Sequence, residues 1–168
     1  AIDKSGFPGQ QGGPLGHVVA AKAVAFGEAV RPGFKAYQQT VIENAQTLAK
    51  SLQARGYRVI SGGTDNHLFL VDLTPQGLAG KQGEALLEDV GICVNKNMIP
   101  FDSRKPLDPS GLRFGTPTLT TRGMKPADME QIAGWIDGAL SSGHDAAARD
   151  VIRGEISAFG ARFPLWDR

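Results

Sequence analysis

The chain has a single cysteine, Cys93, which excludes an internal disulfide framework and suits a reducing compartment. It also lacks an excess of either charge. With 18 Lys and Arg against 17 Asp and Glu, the formal net charge is +1, so neither a nucleic-acid surface nor a polybasic membrane surface is expected. The histidines His17, His67 and His144 are scattered without ligand spacing, and one cysteine does not complete a four-ligand site around them, so no metal is expected. There is no internal repeat, no low-complexity tract and no charged-then-apolar leader. Nothing in the sequence targets a membrane. A start at Ala1 is expected to lie within a longer protein.

At 168 residues the chain is long enough for one domain with a proper core. Leu15 to Val30 reads as an alanine-rich helix, apolar over much of its circumference, that Pro32-Gly33 breaks. In a second, longer helix Phe34, Tyr37, Val41, Ala45, Leu48 and Leu52 recur at three- and four-residue steps, and Gly56 stops it. Tyr57 to Ile60 and His67 to Leu73 read as neighbouring strands joined by a Gly-Gly-Thr-Asp-Asn turn. A helix from Lys81 to Val90 is closed by Gly91 and followed by a strand from Ile92 to Asn95. Lys96 to Pro109 reads as a long irregular loop, of the kind that is often functional. Helices over Pro126–Leu140 and Asp145–Phe163 and the apolar tail Phe163-Pro164-Leu165-Trp166 complete the chain. Strands mixed with helices, without regular βαβ alternation, predict an α/β (α+β) fold with a mixed or antiparallel sheet and helices packed on one face.

Two segments suggest ligands. In Ser110-Gly111-Leu112-Arg113-Phe114-Gly115-Thr116-Pro117 one arginine sits in a short strand framed by glycines. Its planar fork matches a carboxylate bidentately, and small flanking residues let a ligand approach the backbone. A structural ion pair is the competing reading. Ahead of the first helix, Gly6-Phe7-Pro8-Gly9-Gln10-Gln11-Gly12-Gly13-Pro14 can present backbone N–H groups to a phosphate, or can be an ordinary turn. Glu84, Glu88 and Asp89 read as the solvated face of a helix. Lys96 and Lys105 show no burial pattern that would lower a lysine pKa.

These two segments, together with Ser61-Gly62-Gly63-Thr64-Asp65-Asn66-His67-Leu68-Phe69-Leu70-Val71-Asp72-Leu73 and Val94-Asn95-Lys96-Asn97, stand in an order that resembles the C-terminal portion of serine hydroxymethyltransferases, from about Gly6 to Pro164. The resemblance implies a fold-type I enzyme dependent on pyridoxal 5'-phosphate. Residues 1–31 would end its large cofactor domain, and 32–168 would be the C-terminal small domain. It implies transfer of a one-carbon unit between serine and tetrahydrofolate, giving glycine and 5,10-methylenetetrahydrofolate, in a cytoplasmic homodimer.

Residue by residue, the resemblance assigns Arg113 to the substrate α-carboxylate and Gly12 and Gly13 to the cofactor phosphate of the neighbouring subunit. It places Asn97 at the folate pterin and Lys105, Pro106 and Leu107 in a folate-contacting segment, although the family often has serine at the position of Lys105. The threonine-rich run ending His-Lys, whose lysine holds the cofactor, is absent, so this chain contributes no catalytic residue and alone is expected to be inactive and without bound cofactor. A stand-alone module that binds a small carboxylate at Arg113, and a purely structural dimerisation piece, are the alternatives.

Overall fold

In the computed structural model, which describes residues 1–165, four short strands form one sheet in the order β1-β2-β4-β3. They are β1 (Arg58–Val59), β2 (Leu68–Asp72), β3 (Asn95–Asn97) and β4 (Gly111–Gly115), and each neighbouring pair is antiparallel. Side chains alternate across a strand, and here the alternation separates two kinds of surface. Val59, Phe69, Val71, Leu112 and Phe114 share one face and are all buried.

Helices cover that face. α3 (Pro32–Ala54), α4 (Gly80–Asp89), α6 (Pro126–Ser141) and α7 (Ala146–Ala161) send Leu48, Leu52, Leu87, Met129, Ile136 and Phe159 into one core with the sheet residues. Burying each such side chain stabilises the fold by about 1.5–3 kcal/mol. The Trp135 ring meets Phe159 edge-on at 5.1 Å, and its Nε1 donates to Glu155 at 2.7 Å, which joins α6 to α7. The expected antiparallel sheet with helices on one face is the observed architecture.

The helix boundaries follow local chemistry. Ala79 N–H donates to Gln82 at the start of α4, and Lys125 N–H donates to Asp128 at the start of α6. The Asp145 carboxylate caps α7 through Ala148 N–H. Just past the Val90 cap of α4, Gly91 has φ +88° and closes the helix, with Ile92 N–H donating to Leu87 O at 2.8 Å. That closure corrects the strand expected over Ile92–Asn95. With the Ile92 amide spent on the helix end, Ile92 and Val94 pack half-buried against the core, and pairing with β4 begins only at Asn95. The sequence reading also missed α5 (Pro117–Thr121), a short helix directly after β4.

Contacts divide the chain after Ala36, inside α3. The first unit holds α1 (Ile2–Lys4), a wide turn over Ser5–Gln10 that is extended at Phe7, and α2 (Gly16–Ala29). No residue of α2 is buried, and Val19, Val24 and Phe26 are all more than half exposed. Among the described residues no helix is long and apolar enough to cross a membrane. Of the apolar tail, Trp166 lies outside the described residues.

Candidate functional site

The sheet face turned away from the core carries the residues of interest. Arg113 lies between two buried neighbours, Leu112 and Phe114, so alternation turns its side chain to the other face, where it is exposed. Its cross-strand partners are Leu70 on β2 and Asn95 on β3. The guanidinium Nη2 donates to Asn95 Oδ1 at 3.0 Å. Among the described residues no carboxylate forms an ion pair with Arg113. The internal ion pair that competed with ligand binding in the sequence is not formed among the described residues, and the fork stays exposed.

The framing glycines differ from one another. A Cβ on Gly111 would stand 2.5 Å from Ile99 Cγ2 and 2.9 Å from Asn97 O, whereas one on Gly115 would meet only ordinary contacts from 3.5 Å outward. Gly111 is required by the close passage of its own chain, so the expectation that both glycines clear a path for a ligand is corrected at that position. A cavity of about 680 Å³ over the Ser61–Asn66 turn reaches Leu70, the neighbour of Arg113 on the β2 side.

β3 is an edge strand of three residues, too short to hold itself in place. It is fixed from α4. The Glu84 carboxylate accepts Lys96 N–H at 3.0 Å and Lys96 Nζ at 2.6 Å. The Lys96 side-chain bond, followed by its backbone bond, holds the Glu84 carboxyl below the usual range. Glu88 and Asp89 are exposed, as the solvated-face reading has them, although Asp89 also ties α4 to α7 through Arg149 and Arg153; the reading is corrected only at half-buried Glu84, which clamps β3.

Asn97 pairs with Gly111, and alternation turns it to the same face as Asn95; its Nδ2 donates to Met98 O at 2.9 Å. The chain then leaves the sheet for the loop that returns at Ser110. Asp102 organises this loop by accepting from Ile99 N, Arg104 N, Ser110 N and Ser110 Oγ. Partial burial works against its charge, but these donors outweigh it, the Ser110 hydroxyl foremost, and lower its pKa to about 2. Lys105, Pro106 and Leu107 stand exposed on the outer part of the loop, next to a turn in which Asp108 N–H donates to Lys105 O.

The structure thus brings Arg113 and Asn97 onto one sheet face and holds Lys105–Leu107 in the loop that joins their strands. Gly12 and Gly13 belong to the separate first unit. Both are exposed, with no atom within 4 Å of where a Cβ would stand, and no side chain caps the start of α2. Among the described residues no three His, Cys, Asp or Glu side chains converge as a metal site. Sequence reasoning missed Asn95 and Asp102. The two-residue period from Asn97 back to Asn95 was a usable signal for the first, whereas the four donors gathered on Asp102 are a property of the folded loop.

Comparison with known proteins agrees with the order of these segments. The family model described as serine hydroxymethyltransferase matches residues 1–136. A curated serine hydroxymethyltransferase from Acidobacterium capsulatum is 54% identical over 166 residues, an alignment that takes in 99% of this chain and 39% of that protein. The chain therefore spans about two fifths of the length of the curated relative it matches.

Proposed function

Because the chain belongs to the serine hydroxymethyltransferase family, we propose that it is the C-terminal portion of an enzyme that moves a one-carbon unit between serine and tetrahydrofolate. Glycine and 5,10-methylenetetrahydrofolate are the products. In this reading residues 1–31 end the cofactor-binding large domain, residues 32–168 form the small domain, and the enzyme is a cytoplasmic homodimer. The observation that carries the reading is the state of Arg113: exposed, bonded to a neutral amide and, among the described residues, without a carboxylate partner.

Pyridoxal 5'-phosphate, when bound, supplies the electron sink for the carbanion at the substrate α-carbon. The open backbone at Gly12 and Gly13 and the uncapped start of α2 fit the phosphate end of that group, where backbone N–H groups are the natural donors. This chain's part is to bind and to orient. Arg113 holds the amino acid by its carboxylate and so fixes the angle of the bond to be broken, a contribution of positioning. Asn97 and the exposed Lys105-Pro106-Leu107 segment receive the folate. The chain on its own, without the family's lysine run, catalyses no transfer.

The test is Arg113→Lys in the full-length enzyme. Charge is kept and the fork is lost, which costs roughly 2–5 kcal/mol of amino-acid binding where the carboxylate is desolvated. Serine affinity collapses while cofactor affinity survives; normal serine binding by the variant would overturn the assignment. Titrating the chain alone with glycine, with and without pyridoxal phosphate, separates this reading from a stand-alone carboxylate module, which binds glycine without cofactor.

A further inference from the structure

We propose that Asn95 is a positioning residue for amino-acid binding: its side-chain amide aims the Arg113 guanidinium while leaving the charge unneutralised. The inference rests on the reading of Arg113 as the carboxylate grip and adds to it a residue with no role assigned so far. Three observations lead to it. Asn95 and Arg113 are directly opposite on antiparallel strands, so their side chains leave the sheet side by side on one face. Arg113 Nη2 donates to Asn95 Oδ1 at 3.0 Å, and among the described residues this is the only hydrogen bond of its guanidinium. Finally, the residue bearing the acceptor is held in place, because the next residue, Lys96, is clamped by both its N–H and its Nζ to Glu84 of α4.

The chemistry of the acceptor matters as much as its position. An arginine on an open sheet face has several rotamers, and ordering it costs side-chain entropy at the moment of binding. One hydrogen bond to a fixed neighbour removes part of that cost beforehand. A carboxylate in the same place would aim the group equally well but would occupy the fork and cancel the charge that recruits the ligand. An amide oxygen takes one of the five guanidinium N–H groups and leaves a two-donor edge for the substrate. Asn95 therefore suits anion binding in a way that the nearly isosteric aspartate does not.

The experiment compares Asn95→Asp and Asn95→Ala with the unmodified full-length enzyme loaded with pyridoxal phosphate, and uses Arg113→Lys as reference. Glycine and glycinamide, which lacks the carboxylate, are titrated against the cofactor absorbance. Asn95→Asp is expected to weaken glycine by about tenfold or more, and Asn95→Ala by roughly three- to tenfold, with glycinamide affinity changed less than about twofold. Equal weakening of both ligands would mark a merely structural role and overturn the proposal. So would unchanged glycine binding by Asn95→Asp alongside its loss in Arg113→Lys, in which case the reading of Arg113 survives alone. If Arg113→Lys binds glycine normally, the underlying reading falls and this inference falls with it. Should Asn95→Asp fail to load cofactor, the Asn95→Ala comparison decides by the same two ligands.

Discussion

Asp102 and Ser110 close the loop between β3 and β4: the carboxylate takes the Ser110 hydroxyl at 2.7 Å and the Ser110 backbone N–H at 2.9 Å. Since this carboxyl titrates at about 2 in the folded chain against an ordinary value of 3.8, its contribution to loop order is fully present above pH 3.8. It is lost as pH falls through about 2. Hydrogen exchange at the Ile99, Arg104 and Ser110 amides is expected to accelerate in that window and to be fast already at neutral pH in Asp102→Ala. The variant leaves four donors without their acceptor, so local opening should be easier by about 1–3 kcal/mol. Unchanged protection in the variant would contradict this.

A second expectation contrasts two glycines. A Cβ on Gly80 would lie 2.4 Å from Gly111 O and 2.9 Å from Pro109 O, both backbone atoms, while one on Gly154 in α7 would meet nothing within 4 Å. Gly80→Ala must push α4 away from β4 and is expected to cost about 1–3 kcal/mol. Gly154→Ala should stabilise by roughly 0.5–1 kcal/mol, because a helix-interior glycine gives up more freedom on folding than alanine does. Urea unfolding of the two variants checks both signs at once.

Alkaline stability is expected to depend on Tyr57. Burial, followed by the hydrogen bond to Asp137 at 3.0 Å, raises the phenol above its ordinary pKa of 10.0. A group raised on folding stabilises fully below its unfolded pKa, and that contribution is lost as pH climbs above 10.0. The unfolding midpoint should therefore decline above pH 10 more steeply in the parent chain than in Tyr57→Phe. Parallel declines would remove Tyr57 from the explanation.

The parts legible in the sequence were those governed by periodicity. Val41, Ala45, Leu48 and Leu52 repeat at helical steps, and all four are buried in α3. Leu112 and Phe114 flank Arg113 in the pattern of a half-buried strand and are buried as that pattern requires. What the sequence hid depends on partners far away. β3 begins at Asn95 because Ile92 is drawn into the end of α4 and because β4 offers pairing only between Gly111 and Arg113. Glu84 resembles any exposed helix carboxylate until Lys96 is folded against it. The acceptor role of Asn95 likewise exists only once two strands remote in sequence lie side by side.

The strand order has a consequence for how the Arg113 face comes into being. β2 and β4 are the central pair of the sheet, yet α4 and the Asp102 loop lie between them in the chain. Some forty residues must be looped back before the first bond of that ladder forms, an entropic cost that local helix pairs such as α6 and α7 do not carry. The helical hairpin is thus a product of nearby contacts, and the Arg113 face is a product of distant ones. During synthesis, β2 emerges well before β4 and spends that interval as an apolar strand without its main partner.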